Sequence, residues 1–433
     1  MKKRILCMIL LVFCLLMNTG AYVCAQSAEP NNTLAYIVYE QDSKQIILQQ
    51  NIQQQTDASL LSRMMCALVV LESSINGQTV STSDYVTPVS YSVSSDGKYK
   101  LYASRQYKVE DLLKATLLGN ADNCARVLAY HINPRTDFFV SLMNQTAARI
   151  GMTQTFFTSP DGNEKSLQRT TPYDTALFYE YALKNTQFKR ILTNEVTTLW
   201  DGMPLLNTCS IAFSLKEEFA SPSTGGVYTG VSQGTGSTLM MHITLPVSSG
   251  ADPETTSEMK LIVAFFSQGN EDATEYAHNL VTEIQTNYRK VRFLKANQEI
   301  DTRSVAGQIL KLLAGTDLFC VAPLEVDAAG YVQNVSFTFN ITNQGVMIQE
   351  LDPPILEGQS LGTANLLLRD GSVQSVSVVA GSTIQTDNQA VNKLLAIYEE
   401  YQPLFILIFV LLLIAAVILL TKLIYFIQMK RQK

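Results

Sequence analysis

Residues 403–421, PLFILIFVLLLIAAVILLT, form an apolar run without one charged side chain. About 20 such residues cross the hydrocarbon core of a bilayer as a helix, and a helix that is apolar all round offers no polar face to solvent. The run therefore predicts a single transmembrane helix over 403–427, which confines the preceding chain to one side of a membrane. Glu399 and Glu400 precede the run, whereas Lys422, Lys430, Arg431 and Lys433 follow it. The positive-inside bias then places the tail, 428–433, in the cytoplasm. At the other end, Lys2, Lys3 and Arg4 lead into an apolar stretch from Ile5 to Met17, and Val23-Cys24-Ala25 supplies small residues for a cleavage site. That is the layout of a secretory signal peptide over 1–25. The expectation is a single-pass protein of the cell membrane, with its bulk extracytoplasmic on the cell-wall side.

Between these segments lie roughly 375 residues, more than one compact core accommodates and suited to two domains with a tether. The net charge is −6. No basic tract interrupts the ectodomain, which excludes nucleic acid as an expected partner. Of seven cysteines, Cys7, Cys14 and Cys24 fall in the signal peptide, and Cys66, Cys124, Cys209 and Cys320 are scattered without metal-ligand spacing. Cys66 and Cys124 sit among helical apolar residues and read as small buried thiols. His131, His242 and His278 are isolated, so neither a metal site nor a cofactor is expected.

The order of elements is readable in the hydropathy pattern. Ala35–Val38 and Gln45–Leu48 are β-rich runs flanking a turn. Met64, Met65, Leu68, Val69 and Leu71 recur at helical spacing behind Asp57 or Ser59 as the cap. VEDLLKATLLGNADNCARVLAYHI alternates helix, break and helix, and FFVSLMNQTAARIGM ends at Gly151 as a helix C-terminus should. PYDTALFYEYALKN is a further helix. TLMMHITL and MKLIVAFFS are long strands, followed by a helix from about Glu271 to Tyr288. These elements predict an α/β (α+β) domain over 26–290 with an antiparallel sheet and a helical subdomain. From Val291 the pattern changes to strands and turns, including the turn at Asp370-Gly371, and predicts a small β-sandwich over 291–384. Residues 385–402 are a polar spacer.

This order, and the stretches AYIVYEQDSKQIILQQN, FVSLMNQTAARIGMTQTFFTSPDG, TTPYDTALFYEYALKNTQF, GGVYTG and PPILEGQSLG, resemble the low-molecular-mass penicillin-binding proteins, the serine-type D-alanyl-D-alanine carboxypeptidases of peptidase family S11. The resemblance implies the penicillin-binding-protein fold, a bacterial envelope, and peptidoglycan stem peptide or an envelope protein as partner. Enzymes of this kind carry three elements. A Ser-x-x-Lys places the nucleophile one turn from its base, a Ser-x-Asn supplies a second hydroxyl and an amide, and a Lys-Thr-Gly strand grips the substrate carboxylate.

Here all three are altered. The first element falls on Leu60-Leu61-Ser62-Arg63, which puts a side chain without a nucleophilic atom at position 60. Position 63 holds a guanidinium that stays protonated and cannot act as base. Ser59 and Ser62 are the fallback nucleophiles, with Ser59 otherwise a helix cap. The second element falls on Asn120-Ala121-Asp122 or, with one gap, on Leu118-Gly119-Asn120, and neither version has the serine. The third falls on Tyr228-Thr229-Gly230, with Thr229 and Gly230 kept as the wall of a cleft and the lysine lost. Between Lys216 and Lys260 there is no Lys or Arg, and only His242 could carry a positive charge. The resemblance and its departures together predict a membrane-anchored pseudoenzyme that binds or scaffolds in cell-wall metabolism. The alternative is a divergent, active D,D-carboxypeptidase that trims stem peptides with Ser59 or Ser62 and a distant base such as Lys114.

Overall fold

The structure is a computed structural model. It describes residues 34–75, 78–89, 99–163, 168–229, 236–246, 258–267, 272–325, 330–339, 341–343, 346–348, 351, 353–369, 371–385 and 399–431. The signal-peptide segment, Gly230, Asp370 and most of the spacer lie outside them. The chain divides into two compact units, one comprising Met1–Phe293 with Phe319–Gln333 and Leu367–Gln374, the other Leu294–Leu318, Asn334–Leu366 and Ser375–Lys433.

The first unit is built on a five-stranded sheet. Its strands are β1 (Leu34–Glu40), β2 (Ile46–Gln50), β3 (Thr224–Tyr228), β4 (Thr238–Pro246) and β5 (Glu258–Ser267), in the order β3-β4-β5-β1-β2. Every neighbouring pair is antiparallel. Alternate side chains of a strand point to opposite faces, and here both faces are covered. Ile37, Tyr39, Met240, Ile262, Ala264 and Phe266 join one core cluster, while Val38, Leu239, Met241, Ile243, Val263 and Phe265 join the other. This is why TLMMHITL and, from Leu261 onward, MKLIVAFFS read as mostly apolar runs.

Six helices supply the first cluster: α1 (Ser59–Glu72), α2 (Val109–Leu118), α3 (Asp122–Ile132), α4 (Thr136–Ile150), α5 (Pro172–Ala182) and α6 (Thr186–Leu192). The other face is covered by α7 (Ser210–Glu218) and α8 (Ala273–Asn287). α1 is buried along nearly its whole length, which suits an apolar helix in the middle of a helical layer. The sequence reading has no counterpart for the short helices α6 and α7. Gly151 closes α4 at φ +95° in the left-handed region, as expected of a helix C-terminus. Cys66, Cys124, Cys209 and Cys320 are buried and not joined in disulfides.

Two ionisable groups are buried against the sheet. Glu40, at the end of β1, and Lys290 are 0 % and 2 % exposed and meet at 2.7 Å. The second Glu40 oxygen accepts the Ser43 N–H at 2.7 Å, and Asp42 gives Lys290 another carboxylate. Burial raises the Asp42 carboxyl, but the hydrogen bonds and charges of Lys290 and Lys260 outweigh it and leave its pKa below the usual value. His242 on β4 is 4 % exposed, with Nδ1 3.5 Å from the Tyr179 hydroxyl and Nε2 without a hydrogen-bond partner. Burial, with a smaller contribution from the Lys189 charge, pushes its pKa down to about 3.

β6 (Tyr288–Leu294) and β9 (Leu318–Pro323) pair with each other and fall almost wholly in the first unit, whereas β7 (Glu299–Val305), β8 (Gln308–Ala314), β10 (Val332–Phe339), β11 (Ser360–Leu368) and β12 (Val373–Ala380) fall mostly in the second. The sheet order is β7-β8-β12-β11-β10, beside a separate hairpin of Ile341–Asn343 and Val346–Ile348. The sequence predicts a sandwich; among the described residues one five-stranded sheet is present and no second sheet is defined opposite it. The apolar run at 403–421 falls in α9 (Gln402–Arg431), a helix of 30 residues. Among the described residues no helix is long and apolar enough to cross a membrane. The predicted transmembrane span is therefore not established by the fold.

Two outcomes follow from the buried groups. Glu40→Ala leaves the Lys290 ammonium buried with weakened compensation, and is expected to lower unfolding free energy by ~3–5 kcal/mol; a loss below ~1 kcal/mol in urea titration of the full chain would show that Asp42 suffices. For His242 the folded pKa lies below the unfolded value of about 6.5, so the unfolded state binds the extra proton and stability falls as pH drops from about 6.5 to about 3. His242→Leu should reduce proton uptake on unfolding by about one across that window, read from the pH dependence of the urea midpoint.

Candidate active site

The start of α1 is set by Asp57. Its Oδ1 accepts the Ser59 N–H at 3.2 Å and the Ser59 hydroxyl at 2.8 Å, while Ala58 occupies the N-cap position. Of the two caps expected, Asp57 thus does the capping from one residue earlier, and Ser59 donates to it. Ser59 is 5 % exposed. Leu60 points into the helical core and is 2 % exposed. Ser62 is fully buried, and its hydroxyl donates to the Ser159 carbonyl. Neither serine is hydrogen-bonded to a lysine amine among the described residues. Lys114, the distant base considered above, lies 3.5 Å from Glu110 and 3.7 Å from Asp111 on its own helix.

Arg63 donates from NH1 to the Asp161 carbonyl at 3.0 Å, and its Nε has no partner. Burial lowers its pKa, opposed by the charges of Asp122, Asp161 and Asp57. Asp161 belongs to the loop Ser159-Pro160-Asp161-Gly162-Asn163, which lies against the start of α1. A Cβ on Gly162 would stand 2.3 Å from the Ser59 carbonyl oxygen, and the residue has φ +78°, so only glycine permits this approach. The Asp161 carboxylate receives Arg126, the Asn163 N–H at 3.2 Å and Asn163 Nδ2 at 3.0 Å. Burial raises its pKa, but these hydrogen bonds more than reverse the shift. Asp122, in the first turn of α3, accepts from Asn163 Nδ2 at 3.0 Å and lies 3.6 Å from Arg126. The base position of the first element and the acidic residue of the second are thereby joined through Asp161.

Asn120 sits between α2 and α3 at φ +54°, a left-handed conformation that asparagine tolerates better than most residues. Its Nδ2 donates to the Tyr228 carbonyl at 2.7 Å, and its Oδ1 has no partner. Asn120, which both alignments of the second element contain, thus lies against the third, while Leu118 is fully buried and Asp122 opens α3. The Tyr228 ring packs on the cluster beneath α7 and α8, and its hydroxyl donates to Asp272 Oδ1 at 2.9 Å. Thr229 extends the β3 ladder: its N–H donates to the Thr238 carbonyl at 3.0 Å and its hydroxyl accepts the Thr238 N–H at 2.9 Å. Gly230 lies outside the described residues. His242 is buried and held neutral, so it supplies no positive charge near neutral pH.

Leu60, Arg63, Asn120 and Tyr228 thus frame one region where α1, the α2–α3 break and β3 meet. Asp57, Asp161, Arg126 and Asn163 are the residues that the motif search missed. The Asp122/Arg126 spacing of four on one helix was a visible signal, whereas Asp161 and Asn163 are brought in by the loop alone. Chemically the arrangement offers two guanidinium groups among three carboxylates, and two serine hydroxyls already donating to oxygen acceptors.

A sequence profile of the D-alanyl-D-alanine carboxypeptidases, peptidase S11, matches residues 23–246. The carboxypeptidase DacF of Bacillus subtilis is 22 % identical over 188 residues, 42 % of this chain and 48 % of its own length, so the chain spans about half of that relative. DacD of Escherichia coli is 22 % identical over 315 residues, 70 % of this chain and 77 % of its own. Penicillin-binding protein 5 of Haemophilus influenzae superposes with a TM-score of 0.63 at 19 % identity, covering 81 % of this chain and 97 % of that one. A peptidoglycan synthesis regulatory factor (PBP3) of Streptococcus pneumoniae gives 0.56 at 16 %, covering 81 % and 98 %. The structural likenesses show a shared fold. Because the profile spans more than half of the sequence, this chain belongs to the D-alanyl-D-alanine carboxypeptidase family, peptidase S11.

Proposed function

We propose that this chain is a non-hydrolytic member of its family, anchored in the cell membrane with its bulk outside the cytoplasm, that binds peptidoglycan stem peptide or an envelope protein. The observation that carries the reading is the nucleophile position. Leu60 is packed in the core, Ser62 is buried on a carbonyl, and Ser59 is held by the carboxylate that caps its helix. A serine nucleophile needs an adjacent group that takes its proton. Arg63 cannot do so, because a guanidinium stays protonated even where burial lowers its pKa. The stem-peptide partner rests on the names of the relatives, which are D-alanyl-D-alanine carboxypeptidases and a peptidoglycan synthesis regulatory factor.

The membrane anchor is supported by α9. Leu411, Leu412, Leu419 and Leu420 are 56–69 % exposed on it, and apolar side chains so displayed on a helix call for a lipid or protein environment. The basic residues after the run and the signal-like segment at the start support the orientation. In this reading the C-terminal β unit spaces the family domain from the membrane.

The test is D-alanine release from a D-Ala-D-Ala-terminated stem peptide by the full chain and by the Leu60→Ser/Arg63→Lys double variant. Both are expected to stay at the buffer background, since Leu118 and Tyr228 still lack the second serine and the strand lysine. Release by the unaltered chain would establish the divergent carboxypeptidase instead. Family-level release by the double variant alone would show that the second and third elements were intact in function.

A further inference from the structure

At the start of β3, four residues from Tyr228 and so about 13 Å along the strand from it, the fold opens a second concavity. It is a cleft of ≈ 510 Å³ whose lining includes Lys189, Arg190, Lys216, Thr186, Thr193 and Ser223, with no carboxylate among its lining residues. The cations come from two helices, α6 and α7. The close seating of α6 on β3 depends on Gly225, where a Cβ would stand 2.5 Å from the Leu192 carbonyl oxygen.

The chain carries a net charge of −6, and several cations elsewhere in this unit are paired. Lys44, Lys114, Arg126, Arg149 and Lys260 each form an ion pair with a carboxylate. Arg190 reaches Glu110 at 2.9 Å, but among the described residues Lys189 and Lys216 have no ion-pair partner. Two unneutralised ammonium groups and half-satisfied Arg190 converging on one cleft amount to a concentrated positive potential. Buried His242 feels the Lys189 charge as well.

We propose that this cleft binds a phosphate group, carried on an anionic polymer of the cell envelope if the extracytoplasmic placement proposed above holds, at a site separate from the region where the family's three catalytic elements fall. Lysine ammoniums act as point charges toward phosphate, and arginine adds a planar fork. A tetrahedral oxyanion accepts donors from several directions at once, which suits cations arriving from different elements; a planar carboxylate presents two oxygens in one plane. The Thr186, Thr193 and Ser223 side chains at the rim provide hydroxyls for the remaining oxygens.

The experiment is isothermal titration of the full chain, in nanodiscs of zwitterionic lipid, with inorganic phosphate and with glycerol-phosphate oligomers. The unaltered chain is compared with Lys189→Ala/Lys216→Ala. Both side chains are exposed, so the variant should keep the parent melting temperature. The oligomer should bind more tightly than phosphate, weaken as salt rises, and lose at least about tenfold in affinity in the variant. Equal affinity in the two proteins, or no binding of either probe by the unaltered chain, would overturn the proposal. Binding seen only with vesicles containing phosphatidylglycerol, and lost in the variant, would overturn the polymer as carrier and place the phosphate on a lipid headgroup.

Discussion

The sheet of β1 to β5 has no solvated face, and much else in the first unit answers to that. With both faces covered, most residues of β4 and of β5 beyond Lys260 must suit one core or the other, which suppresses polar alternation there and forces a buried ionisable residue into neutral or paired form. His242 takes the first course and Glu40 with Lys290 the second. The same constraint gives α1 its character. A helix in the layer against the sheet is buried nearly all round, so its sequence is apolar at almost every position, and the few polar side chains it carries must find partners inside the protein.

In the region where the three elements meet, those partners are internal. Asp57 holds Ser59, the Ser159 carbonyl holds Ser62, and the Asp161 loop engages Arg63 and, through Arg126 and Asn163, Asp122. Buried ion pairs contribute little net stability against apolar replacements of the same shape, yet losing one member is costly. A network of this kind therefore resists single substitutions. Turnover would need Ser59 or Ser62 released from its acceptor and a base placed beside it, which means rebuilding the network as well as changing one or two side chains.

The sequence made the order of elements legible because period and caps are local properties. β1, the break at Asn120, the end of α4 at Gly151 and the two long strands are all visible in windows of a dozen residues. The expectation that Leu60, Arg63 and Tyr228 stand at the motif positions comes from the flanking apolar pattern, which is also local. Long-range placement was not legible. Nothing near Asp161 in sequence says that its loop lies against Ser59, or that Asn120, common to both alignments of the second element, reaches the Tyr228 carbonyl. The predicted β-sandwich is not established for a related reason: strand count and turn signals report hairpins, whereas a second layer depends on how sheets pack.

The central claim is that neither serine at the start of α1 is a working nucleophile. Intact-mass analysis of the full chain after incubation with a reactive penicillin, with peptide mapping and an active family member as control, addresses it directly. The account predicts an unchanged mass for this chain beside a stoichiometric acyl adduct on the control. A stoichiometric adduct mapped to Ser59 or Ser62 would contradict it.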